Sequence, residues 1–257
     1  KSSLTLKAGN ITVGKEGTAI YSKNGNITID SGYTGLITIG EKGTGVYADR
    51  NTTIGAGTLE TVYSHGTNKG VGIFYDGGTQ NNQVTVKQHA GNNNLINIYA
   101  QDIALVNNAD QEVSQNGIGI FVKGSGLATS VENKKTLSLT GTNSVGIVTE
   151  AGSAVTGIGK IAGINGKHDK IGVYVKGGDI SGTAGYEFDI DGGIGIYLNN
   201  AVSYTGTMEL KGGVYDDGLN KYRAIGILAA PSFGTGTVST GIDMTGSGGI
   251  GIYQENG

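Results

Sequence analysis

One tetrapeptide recurs along this chain: a residue, then Gly or Ala, then a branched aliphatic, then usually an aromatic. Its copies are Thr18-Ala19-Ile20-Tyr21, Thr44-Gly45-Val46-Tyr47, Val71-Gly72-Ile73-Phe74, Ile118-Gly119-Ile120-Phe121, Val145-Gly146-Ile147-Val148, Ile171-Gly172-Val173-Tyr174, Ile194-Gly195-Ile196-Tyr197, Ile225-Gly226-Ile227-Leu228 and Ile250-Gly251-Ile252-Tyr253. The small residues are 26, 27, 47, 27, 26, 23, 31 and 25 positions apart. If a weak copy lies in the double step, nine steps cover 251 − 19 = 232 residues, a mean near 25.8. Self-similarity at that period is the signature of a solenoid, in which each repeat buries its apolar face against the next.

Between the tetrapeptides lie short segments of strict alternation, among them Leu4-Thr5-Leu6, Ile11-Thr12-Val13, Ile27-Thr28-Ile29, Ile37-Thr38-Ile39, Leu137-Ser138-Leu139 and Ile242-Asp243-Met244. Period two puts both aliphatics on one face, so each is a half-buried strand. Thr12, Thr38, Ser138, Asp189 and Asp243 lie 7, 7, 8, 6 and 8 positions before the next small residue, whereas Thr28 and Glu209 lie 17 before it. Each coil therefore holds up to three short strands, at about −17, −7 and 0. The expected fold is all-β, a right-handed parallel β-helix of about nine to ten coils, with Ile, Val and Leu along its axis. Residues 1–257 read as one β-helix segment, expected to continue in both directions because neither end carries a polar cap.

Composition agrees. Charged residues are only 15% of the chain and Gly is 49 of 257 with a single Pro, so the polar surface comes from strand and turn residues rather than from helices. A net charge of −3 and no basic run longer than Lys134-Lys135 exclude a nucleic-acid partner. No apolar stretch reaches the length of a membrane helix. The absence of Cys suits a chain threaded unfolded through an oxidising periplasm.

Alternation inside the tetrapeptide places Ile194 and Ile196 inward, and Gly195 and Tyr197 outward. It creates an outward aromatic ladder of Tyr21, Tyr47, Phe74, Phe121, Tyr174, Tyr197 and Tyr253, with Val148 and Leu228 as departures. A ring that shields the bare Gly backbone of a neighbouring coil explains why it returns in every coil. A stripe that grips sugar rings or a protein partner is the functional alternative.

Departures from the mean spacing locate polar excursions at 76–94, 107–116 and 213–223. The anchor within the double step is ambiguous: Asn97 lies 7 before Ala104, favouring Ile103-Ala104-Leu105-Val106, yet Ala104 is only 15 before Gly119. The 31-residue step contains Tyr215, Asp216, Asp217, Lys221, Tyr222 and Arg223, the densest mixture of Tyr and charge in the chain. Loops on a rigid scaffold carry recognition, and Tyr with Arg is contact-rich, so these six are the candidate partner-binding surface. A solvated loop that keeps the rod soluble is the plain alternative.

Other motifs fall away. Gly9 to Glu16 approaches a phosphate-binding loop, but Glu16 stands where a magnesium-binding Ser or Thr belongs. Gly192-Gly193-Ile194-Gly195 resembles the start of a calcium nonapeptide, yet Tyr197 occupies the Asp position. His65, His89 and His168 have no ligand spacing. A β-helix polysaccharide lyase or hydrolase needs clustered carboxylates. Of Asp189, Glu209 and Asp243, only the first and last share a register, two coil steps apart, beyond a working pair. No catalytic residue, metal site or cofactor is expected.

The Ile-Gly-Ile-Tyr units, the Asn-Ile-Thr-Ile strands and the Cys-free, nearly Pro-free composition together resemble the passenger segments of type V autotransporter adhesins. The spelling Gly-Ile-Gly-Ile-Tyr at this interval looks most like the large outer-membrane adhesins of fusobacteria. The resemblance implies a surface rod anchored by a C-terminal β-barrel and binding host-cell receptors, glycans or partner bacteria. A segment of such a rod either binds directly or acts as a stalk. A carbohydrate-active β-helix enzyme is the alternative function.

Overall fold

The computed structural model describes residues 2–64, 66–88, 94–125, 129–181, 185–200, 203–234 and 236–255. The chain is an all-β, right-handed parallel β-solenoid of about nine turns, with short strands in three walls. The tetrapeptide wall is continuous. It runs Thr18–Ser22, Thr44–Asp49, Gly70–Asn82, Leu95–Asn107, Ile118–Lys123, Val145–Thr149, Ile171–Val175, Ile194–Leu198, Ile225–Ala229 and Ile250–Gln254, every neighbour paired in parallel. Nine steps at a parallel-strand spacing of ~4.8 Å make a rod about 43 Å long.

The second wall follows each tetrapeptide, as in Asn26–Ile29, and the third precedes the next, as in Leu36–Ile39. β-branched residues at alternate positions put Ile27, Ile29, Ile37 and Ile39 wholly inside. Asn residues in the left-handed region, Asn24, Asn116 and Asn143, help turn the corners. Each buried Ile or Val contributes about 1.5–3 kcal/mol, so the axial column is the main source of stability.

Polar stacks also run inside the rod. Asn82 Nδ2 donates to Asn107 Oδ1 and Asn107 Nδ2 to Asn133 Oδ1, both at 2.6 Å, and Asn133 Nδ2 ends the ladder on the Ile158 carbonyl, also at 2.6 Å. The Tyr75 hydroxyl closes the other end on Asn82 Oδ1 at 3.0 Å. Each amide also donates to a carbonyl two residues on in its own turn, so this buried ladder is well satisfied.

The structure corrects four expectations. First, the tetrapeptide does not alternate strictly. In Ile118–Lys123 the first and fourth residues are half-buried while Gly119, Ile120 and Val122 are buried. The glycine faces inward: a Cβ at Gly119 would lie 2.6 Å from the Gly146 carbonyl oxygen and 3.1 Å from the core side chain of Val113. Close approach of the next coil requires Gly here, and the first aliphatic is turned outward.

Second, the hidden repeat is Ile96-Asn97-Ile98-Tyr99, not the one centred on Ala104. Ile98 pairs with Ile73 and Ile120, and Tyr99 with Phe74 and Phe121. Asn97 takes the glycine place. It is fully buried, donates to the carbonyls of Val86 (3.1 Å) and Glu112 (2.8 Å), and accepts from Gln88 Nε2 (2.6 Å). Third, most of the expected excursions at 76–94 and 107–116 are solenoid wall: Gly70–Asn82, Val84–Gln88 and Gln111–Val113 are strands. Residues 89–93 lie outside the described residues, as do His65 and His89.

Fourth, Glu209 belongs to the third wall. It pairs with Glu187 and Asp243, whereas Asp189 pairs with Lys211. Residues 213–223 are inserted between that wall and the next tetrapeptide, which is why the 17-residue offset misled. Asp189 and Asp243 therefore do not share a column.

Candidate binding groove

The outer face of the tetrapeptide wall carries two columns, the fourth residues and the first. In the first five coils the fourth residues are aromatic and stack on one another. Tyr21 to Tyr47, Tyr47 to Phe74, Phe74 to Tyr99 and Tyr99 to Phe121 have ring centroids 5.1, 5.1, 4.8 and 5.0 Å apart, with planes within 23°. Tyr99 is a member the sequence did not reveal, because Asn97 disguised its repeat. The rings do not cover glycines as expected: the glycines face inward and ring faces meet ring faces. The Tyr47 hydroxyl also donates to Asp76, and burial followed by that carboxylate pushes it up to about 12.

Beyond Phe121 the stack fails. Val148 interrupts it, Tyr174 and Tyr197 meet edge to face at 78°, and Leu228 separates Tyr197 from Tyr253. The first-position column changes as well. It begins with Thr18 and Thr44, is already aliphatic from Val71, and is Ile171, Ile194, Ile225 and Ile250 in the last four repeats. Ile194, Ile225 and Leu228, with Ile171, Tyr197 and Ile250 against them, form an apolar cluster separate from the axial core.

Over this cluster projects the one antiparallel strand pair among the described residues, a hairpin of Val214–Asp216 and Lys221–Arg223. Its turn is built locally. Asp217 Oδ1 accepts from the backbone N–H groups of Leu219 (3.0 Å) and Asn220 (2.6 Å), and Gly218 supplies φ 85°. Tyr215 and Tyr222 face each other across the strands with centroids 6.3 Å apart.

The hairpin is held down by the turn at Lys167 and His168, two coils earlier. Lys167 Nζ is 2.6 Å from Asp217 Oδ2, and its hydrogen bond lowers the Asp217 carboxyl to about 2. The His168 Nε2–H donates to the Arg223 carbonyl at 2.8 Å, and its ring meets Tyr222 edge-on at 5.9 Å. Asp191 Oδ1 fixes the hairpin base by accepting from Gly213 N at 2.8 Å.

Between hairpin and wall lies an open groove of about 560 Å³. Ile194, Ile225, Leu228 and Ile250 make its floor. Lys221, Tyr222 and Arg223 form one wall with His168, and Tyr253 and Glu255 lie at the other side. Leu228, buried to 5% exposure, stands where an aromatic would continue the ladder. Of the six hairpin residues singled out from the sequence, Lys221, Tyr222 and Arg223 line the groove. Tyr215 backs Tyr222, Asp216 lies 3.7 Å from Lys221, and Asp217 anchors the turn. Tyr253 is the one ladder residue that lines it; Tyr21, Tyr47, Phe74, Phe121, Tyr174 and Tyr197 do not. His168 and the Ile column were missed, the former as a turn histidine and the latter as core.

On the third wall, Glu187, Glu209 and Asp243 share a column. Lys160 and Lys211 lie 2.7 and 3.1 Å from Glu187, and Lys211 lies 3.5 Å from Glu209. Hydrogen bonds from these lysines hold the Glu187 carboxyl below the usual range. Among the described residues no three His, Asp or Glu side chains gather as a metal site.

Comparison with protein-family models, curated proteins and solved structures gave no match for this chain. A parallel β-solenoid of this build is consistent with autotransporter passenger domains in general. As a scaffold it suits either an adhesin or a carbohydrate-active enzyme.

Proposed function

We propose that this chain is a noncatalytic segment of a bacterial surface adhesin, of the kind represented by the large fusobacterial outer-membrane adhesins. It binds a host-cell or partner-bacterium surface directly, through the groove under the hairpin. The observation that carries this is the meeting of an outward apolar column with a roof of Lys221, Tyr222 and Arg223 at one place on an otherwise repetitive rod. A spacer has no need of such a departure. Concave apolar sites with a few polar groups at the rim are the usual form of a binding site.

Attachment of the fragment to epithelial cells and to partner bacteria, compared with a variant in which 214–223 is replaced by Gly-Gly, tests the reading. Attachment lost with the hairpin supports it. Attachment that is undiminished, or absent from the start, returns the segment to the role of stalk.

The column of Glu187, Glu209 and Asp243 is what favours the second reading, a carbohydrate-active enzyme. Lysine pairing keeps Glu187 ionised, which makes it a poor proton donor at neutral pH. Release of reducing or unsaturated sugar from host glycans, abolished by Glu209→Gln, would support that alternative.

A further inference from the structure

Three features of the groove, taken together, bear on what it holds. Its floor is branched aliphatic: Ile194, Ile225, Ile250 and Leu228. Its column lacks a ring at Leu228, although Tyr197 precedes and Tyr253 follows in paired register. Its hairpin wall presents Arg223, which makes no salt bridge among the described residues, and Lys221, which is ion-paired with Asp216 at 3.7 Å, both groups being well exposed. The basic and acidic groups lining it are Lys221 and Arg223 from the hairpin, His168 from the anchoring turn and Glu255 beyond the last strand, with the phenols of Tyr222 and Tyr253 beside them.

We propose that the groove receives an extended acidic peptide of a partner protein, with an aromatic side chain set over Leu228 and flanking carboxylates on Arg223 and Lys221. The proposal rests on the groove being the recognition site and names its ligand class. An aromatic anchor restores the rung that Leu228 omits, and in the first five coils rings at this column lie about 5 Å apart. The guanidinium of Arg223 offers a carboxylate a planar fork of donors. Glu255 repels a carboxylate at the far side, so it sets the direction of the peptide, acids toward the hairpin. A sugar fits the floor less well, because hydroxyls pressed against Ile and Leu lose water without gaining partners. A groove of about 560 Å³ is ample for a few residues of extended chain.

The chain contains no Trp, so a Trp-bearing probe reports its own binding. The test is titration of the fragment into blocked Glu-Trp-Glu, with Lys-Trp-Lys as charge control, labelled Glu-Ala-Glu as anchor control, and a glycan array alongside. Expected are a blue-shifted Trp emission and affinity for Glu-Trp-Glu at least ~10-fold above both controls. Arg223→Ala should weaken Glu-Trp-Glu by about 10-fold, and Arg223→Glu should reverse the charge preference. Leu228→Tyr should abolish binding, with circular dichroism and thermal midpoint confirming the fold. Tyr47→Phe should change nothing.

Equal affinity for the acidic and basic peptides, or none for either, overturns the peptide proposal. If Leu228→Tyr stops cell attachment while only glycans bind the fragment, the groove stands as recognition site and its ligand is a sugar. If cell attachment survives Leu228→Tyr in a folded protein, the groove itself is not the recognition site.

Discussion

The coils from Tyr21 to Phe121 and those from Ile171 to Tyr253 share one repeat, yet they treat the same outer face in opposite ways. In the earlier coils Tyr47, Phe74 and Tyr99 give both faces to the rings above and below, with Tyr21 and Phe121 ending the stack, and the Asn82, Asn107 and Asn133 amides are matched inside. Those coils satisfy themselves. After Phe121 the ring column is broken at Val148 and again at Leu228, the neighbouring column, aliphatic from Val71 onward, is Ile in every coil from Ile171, and a hairpin is folded over it. The difference teaches that a stacked aromatic ladder presents ring edges to solvent and has little face area left to offer. Recognition is therefore sought where the ladder fails rather than where it is most regular.

The largest effect should come from the inner amide ladder. Asn107→Leu leaves buried partners on both neighbouring coils unmatched and should cost about 3 kcal/mol in chemical denaturation. A cost under about 1 kcal/mol would mean that the early coils do not depend on their polar interior. Phe74→Ala removes a ring sandwiched on both faces, and should cost about 2 kcal/mol, against less than about 1 kcal/mol for Tyr253→Ala, whose ring stacks on no other among the described residues. Similar losses at both sites would erase the contrast.

Val148→Tyr should sharpen it, joining the Phe121 stack to Tyr174 and raising stability by about 1 kcal/mol, read from the thermal midpoint. A fall instead would show that this place has no room for a ring. The smallest effect concerns the hairpin anchor. The Asp217 carboxyl is lowered from 3.8 to about 2 by Lys167, so its hold is complete above about pH 4 and is lost as pH falls through 2. Hydrogen exchange of residues 214–223 should thus show constant protection from pH 7 to 4, after correction for intrinsic rates, and loosening only below. Loosening near pH 5 would assign the anchor to another group.

Much of the fold was legible because solenoid spacing is a one-dimensional property. The three strand positions per coil follow from Thr28, Thr38 and Gly45 alone. What failed were places where a local rule was locally broken. Period two does not survive at Gly119, where backbone crowding from Gly146 turns the preceding Ile outward. Asn97 hid a coil because a buried amide with three partners can replace glycine, which no composition rule anticipates. The hairpin displaced the apparent register of Glu209 by its own length. Tyr222 and Arg223 were legible as a charged aromatic cluster, but their convergence with His168, 55 residues from Arg223, depends on stacking distance rather than on sequence. Leu228 was visible as a departure, and its meaning needed the neighbouring rings.

Among the described residues, only the tetrapeptide wall of the three is paired without interruption. Strand pairing lapses between Thr53–Ile54 and the latter part of Gly70–Asn82, and again between Val84–Gln88 and Gln111–Val113. Glutamine amides bridge both seams: Gln80 reaches the carbonyls of Asp49 and Arg50 at 3.4 Å, and Gln111 accepts from Val86 N at 3.0 Å while donating to the Val84 carbonyl at 2.9 Å. Under sideways load a rod yields where its cross-section is least stitched, and here both seams fall in adjacent turns with an intact spine on the third side. Such a load would therefore flex the shaft at one defined joint, bowing about that spine, while the distant groove keeps its shape.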